Sequence, residues 1–272
     1  MTLREKISRW VALIGIAVFG FLWFYEPTFS TDEAWNTLIR STLYHVMGSI
    51  IFAALTVYLG FRLWHKPPKV FWAVFLPSLL VVVNNFPFLA LANGEAQITR
   101  GEMLPLFVID CLLIGVFEEL AFRGTLYVAI LEKRRTTRRQ IFWTTVISSA
   151  IFGLVHLANL FDGAGFGPTI LQVGYSFLIG GMCAIVFLKS QNLLFPILLH
   201  GIFDIGGRLI DTVGQGRIWN TPTIIITAIL GVAVTAWMLW QLFQIDPSVT
   251  DAFYPIKTTD EKAADQSTMQ DG

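Results

Sequence analysis

Two adjacent glutamates and an arginine stand inside a long apolar stretch of this sequence. Glu119 and Arg123 are four residues apart, so on a helix they would share a face and could form an ion pair. Glu118 would point about 100° away from Glu119 and lacks such a local partner. An unpaired carboxylate in apolar surroundings takes up a proton readily, which suits a general base. The alternative is a structural ion pair beside a capped or water-lined carboxylate.

Histidines with similar placement follow in two later apolar stretches. His156 ends the run that begins at Phe152, and His200 stands four residues before Asp204. His and Asp at this spacing share a helix face and can hold a metal, orient an imidazole or bind a water. Hydrogen bonds between packed helices would explain the same residues without any chemistry.

Glutamate and histidine in a shielded cavity can together hydrolyse an amide bond. The carboxylate would deprotonate water while other groups stabilise the oxyanion, and a Zn²⁺ held by His and Glu could activate the same water. The sequence leaves the cofactor unknown, because zinc and a metal-free glutamate mechanism are both open. It contains no His-Glu-x-x-His run, which argues against the chemistry of soluble zinc proteases.

The elements that must position these residues are transmembrane helices. Of the 272 residues, 54% are hydrophobic and 14% charged, and the mean hydropathy is +0.63; soluble domains carry roughly a quarter charged residues. A helix needs about 20 apolar residues to cross a bilayer. The sequence predicts an all-α polytopic bundle of about eight transmembrane helices, near residues 8–25, 41–64, 70–92, 103–130, 141–160, 168–188, 193–210 and 223–244.

The domain organisation follows from the same pattern. Residues 1–245 are expected to form one transmembrane domain, with its motif core at 103–210, and residues 246–272 a polar cytoplasmic tail that is disordered at its end. Eight alternating spans with both termini inside would leave only four Lys and Arg residues outside and fourteen inside, as the positive-inside rule requires. The outside residues would be Arg40, Arg100, Arg208 and Arg217.

Ionisable side chains inside a bilayer cost about 2.5–3.5 kcal/mol each and are functional candidates by default. From Glu118 to Arg134 is sixteen residues and from Arg139 to His156 seventeen, or roughly 24 and 25 Å of continuous helix. Both groups should therefore lie at a similar depth. Asp110 lies in the same stretch as Glu118 and has no assigned role, and His45 has no partner at a telling spacing. Asn84 and Asn85 are expected to hydrogen-bond between helices.

Three motifs resemble, in order and spacing, those of the CPBP (Abi) family: Glu118-Glu119-x-x-x-Arg123, Phe152-x-x-x-His156 and His200-x-x-x-Asp204. That family groups type II CAAX prenyl endopeptidases with bacterial proteins linked to bacteriocin processing or self-immunity. The resemblance covers roughly residues 110–210 and implies an eight-helix intramembrane endopeptidase, often labelled a metalloprotease. The compact chain with short loops suggests a prokaryotic member in the cell membrane.

The resemblance also implies roles for the motif residues. Glu118 would be the base that activates water, His156 would help to position it, and Glu119 with Arg123 would orient the site. His200 and Asp204 would support the oxyanion or the water.

Position 204 departs from the pattern of the eukaryotic members, which more often have asparagine there. An ionised aspartate cannot donate a hydrogen bond, which favours orientation of water, metal or histidine by Asp204.

The expected partners are a peptide or membrane-anchored protein substrate and the lipid bilayer. Formal net charge is zero, which argues against nucleic acid. The same buried ionisable groups could serve a proton-coupled transporter, although no inverted repeat is visible in the sequence. They could also persist in a non-catalytic immunity protein that binds a peptide. The sequence does not identify the substrate.

Overall fold

A computed structural model of the chain describes residues 3–25, 27–161 and 163–255. This part is almost entirely helical, as predicted. The α-helices are α1 (Leu3–Tyr25), α2 (Glu33–Leu59), α3 (Trp72–Asn84), α4 (Phe88–Ala92), α5 (Leu104–Glu119), α6 (Val128–Lys133), α7 (Arg138–Val155), α8 (Phe166–Ser190), α9 (Leu194–Val213) and α10 (Thr221–Phe243). A π-helical segment, Leu120–Tyr127, joins α5 to α6. Two short strands, Ala96–Ile98 and Gly214–Gly216, pair antiparallel.

Among the residues that the structure describes, five helical segments are long and apolar enough to cross a membrane: Glu33–Leu59, Lys69–Ala92, Arg138–Leu160, Phe166–Ser190 and Thr221–Phe243. Large apolar side chains on these helices are exposed, with Ile229 at 66% and Val232 at 73%, as expected of surfaces that face lipid rather than water. The chain therefore has the character of an integral membrane protein.

The prediction of about eight transmembrane helices is not confirmed by length and composition. All eight predicted stretches lie on helical segments, but within the described residues three of them do not qualify as spans. The first is α1. The second is formed by α5, the π-helical segment and α6, which follow one another without a break. The third is α9. The last two carry the ionisable side chains of the predicted site, which lower their hydropathy.

Several helix ends are fixed by capping residues. The carboxylate of Asp32 accepts a hydrogen bond from the Ala34 N–H at 2.9 Å at the start of α2, and Gly60 ends the helix with a left-handed φ of 74°. A hydrogen bond from Arg100 to Asp32 holds the pKa of that carboxyl below its usual range. At the start of α7, Thr137 and Gln140 form a reciprocal capping box.

Helices α5 and α9 meet backbone to backbone. A Cβ atom placed on Gly115 would lie 2.7 Å from the Ile197 carbonyl oxygen, and one on Gly201 would lie 3.1 Å from the Leu112 Cα. Small residues at such crossings let helices in membranes approach closely. The contact brings the end of α5, with Glu119, against His200 on α9.

Two asparagines on and after α3 connect it to neighbouring helices, as predicted. The side-chain amide of Asn85 donates to the Phe203 carbonyl at 2.7 Å, and that of Asn84 donates to Thr227 Oγ1 at 2.8 Å. The first bond anchors α9 one residue before Asp204.

The packed structure continues past residue 245, where the sequence placed the end of the helical domain. Pro247–Phe253 forms a 3₁₀-helix. Phe253 stacks on Phe187 with ring centroids 4.6 Å apart, and the Tyr254 hydroxyl donates to the Val128 carbonyl at 2.7 Å. Apolar side chains within the polar tail thus bind it to the core. The end of the tail, which the sequence predicts to be disordered, lies outside the described residues, which stop at 255.

Substitution of Gly115 by alanine should destabilise the protein by about 1–3 kcal/mol, because the new methyl group would collide with the α9 backbone. Thermal unfolding in detergent would measure this effect. Gly174→Ala is the matched control, since a Cβ atom at that helical position would meet nothing within 4 Å. Equal stability of the two variants would contradict the tight crossing.

Candidate active site

The innermost element of the site is an ion pair between Glu119 and Arg123. Arg123 Nη1 lies 2.8 Å from Glu119 Oε1, and the side chains are 1% and 0% exposed. The guanidinium also lies over the Phe152 ring, 4.3 Å from its centroid, in cation–π geometry. The predicted pair is therefore formed, and it is sealed from solvent on every side.

His200 is joined to this ion pair from α9. Its Nδ1 lies 2.8 Å from Glu119 Oε1. Its Nε2 lies 3.4 Å from Glu118 Oε2 and 3.7 Å from Asp204 Oδ2. Both ring nitrogens thus face carboxylate oxygens, and an imidazole satisfies such surroundings when both nitrogens carry a proton. The imidazole of His200 thus brings together four of the predicted residues, namely His200 itself, Glu118, Glu119 and Asp204.

Glu118 differs from its neighbour in exposure and in its partner. Its side chain is 21% exposed, whereas that of Glu119 is 0% exposed. The contact made by Glu118 is with His200 rather than with His156. The helix therefore separates the two acids as the spacing predicted, with one buried in the core and the other accessible.

His156 lies beside the cluster, across the ring of Phe152. Its Nδ1 is 2.9 Å from the Phe152 carbonyl oxygen. A carbonyl can only accept, so Nδ1 donates to it, and Nε2 of the neutral imidazole is then an acceptor. The imidazoles of His156 and His200 both pack edge-on against Phe152, at 5.3 and 5.7 Å between ring centroids. Within the described residues, the ring of Phe152 lies between His156 and the cluster, and no hydrogen bond or ion pair joins His156 to it directly.

The backbone changes its helical form at the site. The chain is α-helical up to Glu119 and π-helical over Leu120–Tyr127, and Thr125 Oγ1 bonds the Leu120 carbonyl five residues back at 2.9 Å. The predicted depths assumed continuous α-helix, so this segment alters the rise between Glu118 and the basic loop. Single π-helical turns are frequent at functional sites.

A second polar cluster, which the sequence did not reveal, adjoins the first. Asp110 is fully buried, and its carboxylate lies 2.9 Å from His45 Nδ1 and 3.1 Å from Arg208 Nη1. Ser41 Oγ donates to the same carboxylate at 3.0 Å. Asp204 and Arg208 are four apart on α9 and so join the two clusters. Asp110 and His45, left without a role by the sequence, are therefore partners.

One signal could have pointed to this second cluster. Ser41 and His45, like Asp204 and Arg208, stand at helical spacing of four residues. That spacing predicts polar faces on two helices, although it cannot predict that both faces meet Asp110.

The donor set does not fit a bound metal. Within the described part of the chain, no group of three or more His, Cys, Asp or Glu side chains converges as metal ligands do. Both nitrogens of His200 are already engaged by carboxylates, and Nδ1 of His156 is bound to a carbonyl. The arrangement instead suits proton transfer and hydrogen bonding to a substrate.

Comparison with known proteins identifies part of the chain. Residues 100–206 match the family described as Type II CAAX prenyl endopeptidase Rce1-like. The match includes all six predicted site residues and Asp110, but neither His45 nor Arg208. No curated protein and no solved structure matches the chain.

Replacement of Arg123 by alanine should cost about 3–5 kcal/mol of unfolding free energy, because it leaves the buried Glu119 carboxylate without its main counter-charge. Denaturant unfolding in detergent would measure the loss. Arg62→Ala, which removes an exposed arginine, should change stability little. Glu118→Gln should also fold normally. Wild-type stability in Arg123→Ala would show that the ion pair does not support the fold.

Proposed function

Since residues 100–206 form an Rce1-like type II CAAX prenyl endopeptidase domain, we propose that the protein is an intramembrane endopeptidase that hydrolyses a peptide bond with glutamate-activated water. One observation carries the proposal: Glu118 is a partly exposed carboxylate that faces His200, while the adjacent Glu119 is buried and neutralised. The two acids thus have separate tasks, one reactive and one structural.

The first step is attack of water on the scissile carbonyl carbon. Glu118 takes a proton from the water as its oxygen bonds to that carbon, and the carbonyl π electrons move onto the oxygen. His156 accepts a hydrogen bond from the same water through Nε2, which is free because Nδ1 donates to the Phe152 carbonyl. In the second step the C–N bond breaks, and Glu118 returns its proton to the leaving nitrogen.

The oxyanion formed in the first step needs a hydrogen-bond donor. The Nε2–H of His200 serves this purpose, because it points into the space shared by Glu118 and Asp204. Glu119 holds the opposite nitrogen at 2.8 Å and is itself held by Arg123. These two residues position the imidazole and do not contact the reacting atoms.

Asp204 acts on His200 rather than on the substrate. Its carboxylate lies 3.7 Å from His200 Nε2, and an ionised carboxylate has no proton to offer an oxyanion. It favours the protonated imidazole by its charge, and Arg208 one turn further along α9 balances that charge. Asp204 thus supports His200, whereas an asparagine at this position could itself donate a hydrogen bond to the oxyanion.

The proposal includes an eight-span topology with both termini in the cytoplasm. Three further spans would cross the bilayer beside the five apolar segments. They are α1, the continuous helix made of α5, the π-helical segment and α6, and α9. The ionisable side chains of the last two pair with one another inside the bundle, as intramembrane charges usually do. The expected substrates are peptides or membrane-anchored proteins, and no feature of the described residues requires a prenyl group.

A second candidate function is proton-coupled transport. It is favoured by the two adjoining ionisable clusters, which extend from Ser41 on α2 to Arg123 in the π-helical segment. Solute uptake into liposomes driven by a pH gradient, without cleavage of any peptide, would favour this function over hydrolysis.

Glu118→Gln and His156→Ala should each lower peptide cleavage by about 10²–10⁴-fold, the usual contribution of a general base or its partner. The purified proteins would be incubated with a peptide library in detergent or liposomes, and the products read by mass spectrometry. Glu132→Gln, which alters an exposed glutamate on α6, is the matched control and should cleave normally.

Cleavage at wild-type rates by both site variants would end the peptidase proposal. Binding of peptides without cleavage by any form would indicate a non-catalytic immunity protein. Metal analysis of the same samples, with chelator added in parallel, would show whether zinc takes part.

A further inference from the structure

A basic cavity lies where α6 ends and α7 begins, in the part of the chain between Arg123 and His156. Its volume is about 460 Å³. The residues that line it include three cations and no acid; they are Lys133, Arg134, Arg139, Gln140, Trp143 and Ile147.

The three cations of this cavity are not neutralised by the protein. The neighbouring arginines are engaged: Arg135 pairs with Asp251, and Arg138 Nε donates to the Ile245 carbonyl at 3.0 Å. In the described part of the chain, the side chains of Lys133, Arg134 and Arg139 have no ion-pair or hydrogen-bond partner. Unpaired positive charge around a concave surface attracts an anion.

An apolar stripe leads away from the cavity along α7. Trp143, Ile147, Ile151 and Leu154 are 48%, 37%, 36% and 54% exposed, and their spacing of four, four and three residues places them on one helix face. The segment is one of the five that can cross a membrane. Tryptophan at its basic end is typical of the level of lipid headgroups.

We infer that this cavity binds the headgroup of an anionic phospholipid, whose acyl chains lie on the α7 stripe. A free phosphate would use the cations alone, whereas a phospholipid uses both the cations and the adjoining apolar surface. Basic cavities beside transmembrane helices suit anionic headgroups. The inference of a lipid site does not depend on the proposed peptidase activity.

The test measures lipid retained by the purified full-length protein in native mass spectrometry. The probes are phosphatidylglycerol, phosphatidylcholine, glycerophosphoglycerol without acyl chains, and inorganic phosphate. Phosphatidylglycerol should bind best, and the Arg134→Gln/Arg139→Gln variant should bind it roughly thirtyfold more weakly, from about 1 kcal/mol for each cation removed. Arg134→Lys/Arg139→Lys, which keeps both charges, should retain most of the binding.

The matched control is Lys66→Gln/Lys69→Gln, which removes two exposed cations of another loop and should leave binding unchanged. Equal loss in this control would overturn the inference, since the attraction would then be general. Equal retention of phosphatidylcholine would also overturn it. So would displacement of phosphatidylglycerol by inorganic phosphate or by the chain-free headgroup at equal concentration.

Discussion

The carboxylate of Glu119 is buried where water cannot solvate it, so its charge must be balanced by other side chains. Arg123 does this from one turn along the same chain, and His200 does it from α9, both at 2.8 Å from a single oxygen. An isolated carboxylate in such surroundings would cost several kcal/mol. The requirement therefore fixes which face of α5 meets α9, and it places Glu118 beside the same imidazole.

The helix packing is arranged around this requirement. Gly115 and Gly201 let α5 and α9 touch, and Gly180 does the same for α8, since a Cβ there would lie 2.9 Å from the Phe152 ring and 3.1 Å from Arg123 Nη2. Larger residues at these positions would push the helices apart. The distance between the paired charges would then increase, and their electrostatic attraction would become weaker. Close helix packing and charge pairing thus stabilise each other, and the result is one accessible acid facing a fixed histidine.

Local spacing in the sequence was sufficient for part of this picture. The pairing of Glu119 with Arg123 follows from four-residue spacing, and the all-α class follows from the apolar runs. The partner of Glu118 did not follow, because depth along a helix axis gives no information on rotation about it. The sequence paired Glu118 with His156, whereas the structure places His200 against it and Phe152 between the two histidines.

Other features depend on contacts between distant segments. The His45–Asp110 and Asp110–Arg208 contacts span 65 and 98 residues of chain, and neither has a local signature beyond helical spacing. Composition alone also identifies fewer spans than the eight predicted. One reason is that two of the predicted spans carry the charged side chains of the site, which makes them less apolar. A tail that is polar on average is likewise bound to the core by a few apolar side chains, with Phe253 fully buried.

The most direct measurement is the protonation of His200 at neutral pH, by solid-state NMR of nitrogen-15-histidine-labelled protein in liposomes. The chain has four histidines, and a His200→Gln sample would assign the signal. Contacts with Glu118 and Glu119 predict that both ring nitrogens carry protons, and that Glu119→Gln shifts the Nδ1 signal most. A neutral imidazole in the wild type, unchanged by Glu119→Gln, would contradict the account.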